Sequence, residues 1–157
     1  MLVVADTSAL VALAACDALS LLDHLFKDIR VPTAVFRECT VPGKAESERL
    51  ETYLRGRVAE VDLKKFVIAV SGLGQGELEA MALYKHLQAD RLLLDDQRAR
   101  KVARLNEIEV IGSLGALVQA KKAGLIAELR PLVKVIQAAG AHYGEKLVAE
   151  ALRLAEE

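Results

Sequence analysis

Apolar residues recur along this chain in two rhythms, and the switching between them sets the expected architecture. Short runs of aliphatic and β-branched side chains at 2–5, 29–31, 58–63, 92–94 and 110–111 predict strands. Between them apolar positions fall three or four apart, the spacing of one helix face. Asp6-Thr7-Ser8 is a helix-start signal ahead of an alanine- and leucine-rich segment that runs to about Phe26. Pro32 suits a first helical position, and Val35, Phe36 and Cys39 follow at helical spacing. A charged helix over 46–55 places Leu50 and Leu54 four apart and closes at Gly56. After a loop or strand over 66–70 and a glycine-rich turn, 77–88 predicts an amphipathic helix and 97–105 a basic one; further helices follow the last strand. Strands alternating with helices predict an α/β fold. Its central parallel sheet of about five strands is covered by helices on both faces, with ligands expected beyond the strands' carboxyl ends.

At 157 residues the chain suits a single domain over 1–157, with C-terminal helices (about 126–157) packing on the core or on a second subunit. Hydrophobic residues make up 53% and aromatic ones only 4%, so few rings are on hand to stack on bases, and a single nucleic-acid strand would be held through its backbone. The formal charge of -1, from 21 basic and 22 acidic residues, supplies no global attraction for such a partner. Any contact must be local. The local candidates are Arg98, Arg100, Lys101 and Arg104 on one helix, with Lys121 and Lys122 further on; a solvated helix face is the plain alternative. Cys16 and Cys39 lack a CxxC or zinc-ligand spacing and suit reduced core thiols, and His24, His86 and His142 share no ligand spacing. The apolar N-terminus carries no basic leader and is interrupted by Asp6 and Asp17, so a cytoplasmic protein with no membrane span is expected.

The stretch VSGLGQGELEA (70–80) has the glycines of a phosphate-binding turn, but the third glycine of G-x-G-x-x-G would have to be Glu77. A carboxylate there repels the phosphate that a helix N-terminus attracts, which argues against a nucleotide. Asp6 follows the first strand and Asp95-Asp96 follow the run 92–94, so all three point at one edge of the sheet. Singly, each reads as a helix N-cap; Glu38 reads as a solvated face and Glu77 as a dipole-favoured acid. Together, crowded carboxylates repel unless a cation intervenes, and hard oxygen donors suit Mg²⁺ or Mn²⁺.

Five stretches, VVADTSALVAL, VPTAVFRE, GQGELEAMAL, LLLDDQRARKVA and VIGSLGALVQAKKAGLI, occur in an order and spacing that resembles PIN-domain proteins, a superfamily that includes VapC-type toxin ribonucleases. They run from about residue 2 to 126. The similarity is to a subfamily of short prokaryotic PIN proteins, and it implies a three-layer α/β/α fold with an acidic pocket. It also implies that Asp6 is the first acidic ligand, Glu38 the helix-borne second and Glu77 the acid opening the long helix. The LLLDD pair then supplies the last carboxylate, from either Asp95 or Asp96, and Ser8 is the small hydroxyl that steadies the first Asp.

The expected function is therefore a Mg²⁺- or Mn²⁺-dependent endoribonuclease, with Asp6, Glu38, Glu77, Asp95 and Asp96 as catalytic and metal-binding candidates and water as the nucleophile. The resemblance further implies an RNA substrate, a homodimer, and, for the toxin of a toxin–antitoxin pair, a small antitoxin protein that inserts a basic side chain among the carboxylates. The alternative is a catalytically silent PIN-fold module that binds RNA or a protein. A phospho-acceptor domain fits less well, since it wants its acidic pair after the first strand and a lysine after the last; here Ser113 follows Gly112.

Overall fold

The computed structural model describes residues 1–66 and 72–157. The loop or strand expected over 66–70 lies, beyond Phe66, outside the described residues. Five parallel strands, β1 (Leu2–Ala5), β2 (Asp28–Pro32), β3 (Val58–Ala59), β4 (Arg91–Leu93) and β5 (Val110–Ile111), form one sheet in the order β3-β2-β1-β4-β5. The chain builds outward from β1 in one direction and then in the other, so the switch in strand order falls at the carboxyl ends of β1 and β4. An open α/β sheet binds its ligands at such a switch. The register pairs Ala5 with Leu93, and the Asp6 N–H continues the ladder by donating to the Leu93 carbonyl at 2.9 Å.

Helices flank the sheet in a three-layer α/β/α arrangement. Val3, Val4, Ala5, Leu92, Leu93 and Leu94 are fully buried, as continuous apolar runs in a doubly covered parallel sheet should be. The long first helix predicted to reach Phe26 is two helices, α1 (Thr7–Ala15) and α2 (Leu19–Leu25), with axes 111° apart. The chain breaks at Asp17, whose φ of 55° is the left-handed conformation that aspartate tolerates better than most residues. Among the described residues no single helix is long and apolar enough to cross a membrane; this bent pair passes only jointly, by length and composition. The strand predicted over 58–63 is confined to Val58–Ala59. Asp62 then accepts the Lys64 N–H and starts a short 3-10 turn over Leu63–Lys65.

Two helices carry acids toward the switch point. In α3 (Thr33–Cys39), Ala34, Val35 and Cys39 are buried and Glu38 lies on a half-buried side; in α5 (Gln75–Leu87), the run Ala80 to Leu83 is buried against β1, β2 and β4. Leu50 and Leu54 anchor α4 (Ser47–Leu54), as their spacing predicts. The basic helix is α6 (Gln97–Leu105), followed after β5 by α7 (Ser113–Lys122), α8 (Arg130–Ala138) and α9 (Glu145–Leu154). In the C-terminal helices Leu129, Val133, Ile136, Ala151 and Ala155 join the main apolar cluster. The Glu157 carboxylate closes this end by accepting the Leu129 and Arg130 N–H groups at the start of α8.

Candidate functional site

Asp6 sits at the N-cap position of α1, directly after the central strand, yet its side chain makes no capping hydrogen bond. It is 2% exposed, and its Oδ1 has no hydrogen-bond partner among the described residues. A buried, unpartnered carboxylate oxygen costs free energy and calls for an explanation in function. Burial is the largest cause of its altered acidity, and the Glu77 and Glu38 carboxylates add to it, so its pKa rises from 3.8 to about 7. The Thr7 and Ser8 N–H groups oppose that rise without closing a bond of capping geometry.

Glu38 and Glu77 are held by an exchange between α3 and α5. The α3 carboxylate of Glu38 accepts the Gly76 N–H of α5 through Oε1 at 3.1 Å and the Thr7 hydroxyl through Oε2 at 2.5 Å. In return the α5 carboxylate of Glu79 accepts the Ala34 N–H of α3 at 3.2 Å and the Gln75 amide at 2.7 Å. Each helix thus places an acid on a free N–H at the other's first turn, where the helix dipole favours negative charge. Glu79, whose offset from Glu77 on α5 predicts a solvent-facing side chain, is half-buried for this reason. Glu77 reaches back to the Gly74 N–H at 3.0 Å, one half of a capping box.

The glycine-rich turn follows from the same exchange. A Cβ on Gly76 would lie 2.5–2.8 Å from the Glu38 carboxyl atoms, so only glycine lets that carboxylate reach the backbone of α5. Gly72 has a φ of 69° and leaves no room for a Cβ beside the Arg98 guanidinium. The described part of the loop, from Gly72 on, brings the Glu38 carboxylate onto the start of α5.

Across the switch point the two aspartates after β4 separate. Asp96 is the N-cap of α6 and accepts the Ala99 N–H at 2.9 Å. Asp95 turns the other way, accepting the Ser113 N–H through Oδ1 and the Ser113 hydroxyl through Oδ2, both at 2.7 Å. The Tyr143 hydroxyl lies 2.6 Å from the same Ser113 Oγ. Burial pushes the Tyr143 phenol up to about 12, so it stays protonated at neutral pH. Asp95, Arg98, Arg100, Tyr143 and Leu147 line part of a cavity of about 510 Å³, with Ser8 also in its wall.

The basic run divides. Arg98 and Arg100 border the cavity, Arg104 lies one turn on beside Arg100, and Lys101 is exposed. The Arg100 Nε is buried without a partner among the described residues, while its Nη1 donates to the Leu94 carbonyl at 3.4 Å. Burial pushes the Cys16 thiol to about 11 and the Cys39 thiol to about 12, so both stay protonated at neutral pH; Cys39 is buried in the core and Cys16 is half-buried.

The structure therefore gathers Asp6, Glu38 and Glu77 at one junction, and places Asp95 at the next strand end with Asp96 engaged as a cap. Among the described residues no three acidic, histidine or cysteine side chains already converge on one point, because Glu38 and Glu77 are turned onto backbone donors. The hydroxyl that bonds an acid beside Asp6 is that of Thr7, whereas Ser8 is exposed. Sequence reasoning missed Thr7, Glu79 and Tyr143, and it gave Ser113 no part in the site. Ser113 had a signal, since it follows a strand end just as the aspartates do; Tyr143 had none.

A family model described as PIN domain matches residues 2–157, nearly the whole chain. No curated protein and no solved structure matches it.

Proposed function

From the premise that the chain belongs to the PIN-domain family, whose members are generally nucleases working with divalent metal ions, we propose that it is a Mg²⁺- or Mn²⁺-dependent endoribonuclease. The observation that carries this reading is the buried Asp6 Oδ1, left without a partner beside Glu38 and Glu77. An orphaned acceptor among carboxylates is the donor set a hard divalent cation requires. Asp6, Glu38, Glu77 and Asp95 would hold the metal; the cap bond of Asp96 supports leaving it out. When bound, a divalent ion supplies a polarised phosphate oxygen and a water acidic enough to attack at neutral pH.

The chain's own residues supply the rest. Asp6, its backbone tied to the sheet through its N–H to the Leu93 carbonyl, presents a buried carboxylate beside Glu38 and Glu77. Thr7 and Gly76 hold Glu38 beside it, and Ser113 holds Asp95. Arg98 and Arg100, on the cavity wall, offer guanidinium donors to RNA phosphates on either side of the cleaved bond, which is backbone recognition and carries no base specificity. An inhibitory partner of the antitoxin kind would compete for the same carboxylates with a basic side chain.

The test is cleavage of single-stranded RNA with Mn²⁺, repeated with a chelator. Asp6→Asn is expected to lower metal-dependent cleavage by at least about 100-fold, roughly 2.7 kcal/mol of transition-state stabilisation. Undiminished cleavage by Asp6→Asn would sink its assignment as a ligand. If the unaltered protein binds RNA but cleaves none with either metal, the silent binding module takes over.

A further inference from the structure

Ser113 stands between two groups that come from distant parts of the chain. It is fully buried at the start of α7, and both its N–H and its hydroxyl donate to Asp95. Serine has one hydroxyl proton, and here the carboxylate takes it. The 2.6 Å contact with Tyr143 can then have only one polarity: the tyrosine donates and the serine oxygen accepts. A one-way chain of donors runs from Tyr143 through Ser113 to Asp95.

Tyr143 lies in the turn between α8 and α9, and that turn is firmly supported. Leu129, Val133 and Ile136 below it and Ala151 and Ala155 beyond it are buried, and Glu157 caps the start of α8. The tyrosine is half-buried and forms part of the same cavity wall as Arg100 and Leu147. We propose that Tyr143 is a positioning residue for Asp95, so that the C-terminal helical hairpin, together with the sheet edge, completes the acidic site. The proposal rests on the nuclease reading, since it takes Asp95 as a working carboxylate. With Ser113 donating to both oxygens, the Asp95 side chain has one orientation, and its remaining lone pairs are directed away from the serine. Loss of the tyrosine donor frees the serine hydroxyl to rotate and to donate elsewhere. Partners that orient a ligand in this way commonly alter metal affinity or activity by about 10- to 100-fold when removed.

The experiment uses the full chain with Tyr143→Phe, which keeps the ring and removes the hydroxyl, alongside Ser113→Ala and the double variant. Mn²⁺ binding is measured by calorimetry without RNA, cleavage by steady-state kinetics, and the Ser113 amide by hydrogen exchange. In Tyr143→Phe the Mn²⁺ midpoint is expected to weaken by about 10-fold and kcat to fall by a similar factor, with KM changed less than about twofold. The Ser113 amide is expected to exchange faster while that of Leu83 in α5 keeps its rate. Because Tyr143 acts through Ser113, the double variant should match Ser113→Ala alone. A Tyr143→Phe protein that melts earlier but keeps its Mn²⁺ midpoint and kcat overturns the proposal, leaving a packing contact. Additive losses in the double variant overturn it too. If Tyr143→Phe does not fold, Ser113→Ala carries the same expectation, and an unchanged Mn²⁺ midpoint there is equally decisive. Failure of the unaltered protein to bind Mn²⁺ or cleave is a different result, which removes the nuclease reading itself.

Discussion

The junctions after β1 and β4 begin alike: the buried carboxyl end of a strand leads to a helix, with an aspartate at the N-cap position, Asp6 in one case and Asp96 in the other. At the β4 junction two spare residues, Leu94 and Asp95, separate the strand from the cap, so the tasks are divided. Asp96 satisfies the helix and Asp95 is turned to Ser113. At the β1 junction there is no spare residue, and the single acid at the cap position leaves the cap bond unmade. Both aspartates of one junction are hydrogen-bonded, whereas the aspartate of the other holds an orphaned oxygen. Since a buried polar group without a partner is costly, the second arrangement is the one to examine for function.

The largest way to break this contrast is through pH in the metal-free protein. Asp6 has a folded pKa of about 7 against 3.8 for its ordinary value, so between those limits the folded state keeps a proton that the unfolded chain has released. Stability must then fall as pH rises from about 4 to about 7, by an amount on the order of 4 kcal/mol at about 1.4 kcal/mol per unit. Asp6→Asn should remove this slope and match or exceed the unaltered protein in melting temperature at pH 8. Denaturant unfolding across pH with a chelator present checks it; parallel profiles for the two proteins would mean that Asp6 is solvated after all.

A smaller effect comes from the α3–α5 exchange that crowds Asp6. Gly76→Ala puts a methyl group into the Glu38 carboxylate and should destabilise by roughly 1–3 kcal/mol, or a few degrees per kcal/mol in melting temperature. Metal-dependent cleavage should fall with it, because Glu38 is displaced. An unchanged melting temperature would show that the close approach of the two helices is dispensable.

The smallest effect sharpens the contrast from the other side. Asp96→Ala should cost about 1 kcal/mol through the lost cap, while Asp96→Asn should be nearly neutral, since asparagine caps almost as well. Neither should move the Mn²⁺ midpoint. A weakened midpoint in Asp96→Asn would return Asp96 to the ligand set and blur the division of labour between the two aspartates.

Much of this was legible in the sequence because periodicity and capping are local. Five strands in the expected order, the basic helix over 97–105, and the placing of Asp6 and Asp95-Asp96 beyond strand ends all follow from patterns within a dozen residues. Local patterns also misled where a single backbone angle intervened, as at Asp17, which bends a continuous apolar run into two helices. That Asp6, Glu38 and Glu77 meet, that Glu79 serves another helix's first turn, and that the Tyr143 hydroxyl reaches Ser113 were decided only by tertiary structure. Which N–H or hydroxyl a buried carboxylate finds depends on which elements the sheet order brings together. No spacing along the chain encodes that choice, because the partners are chosen by packing and by the cost of leaving any of them unpaired.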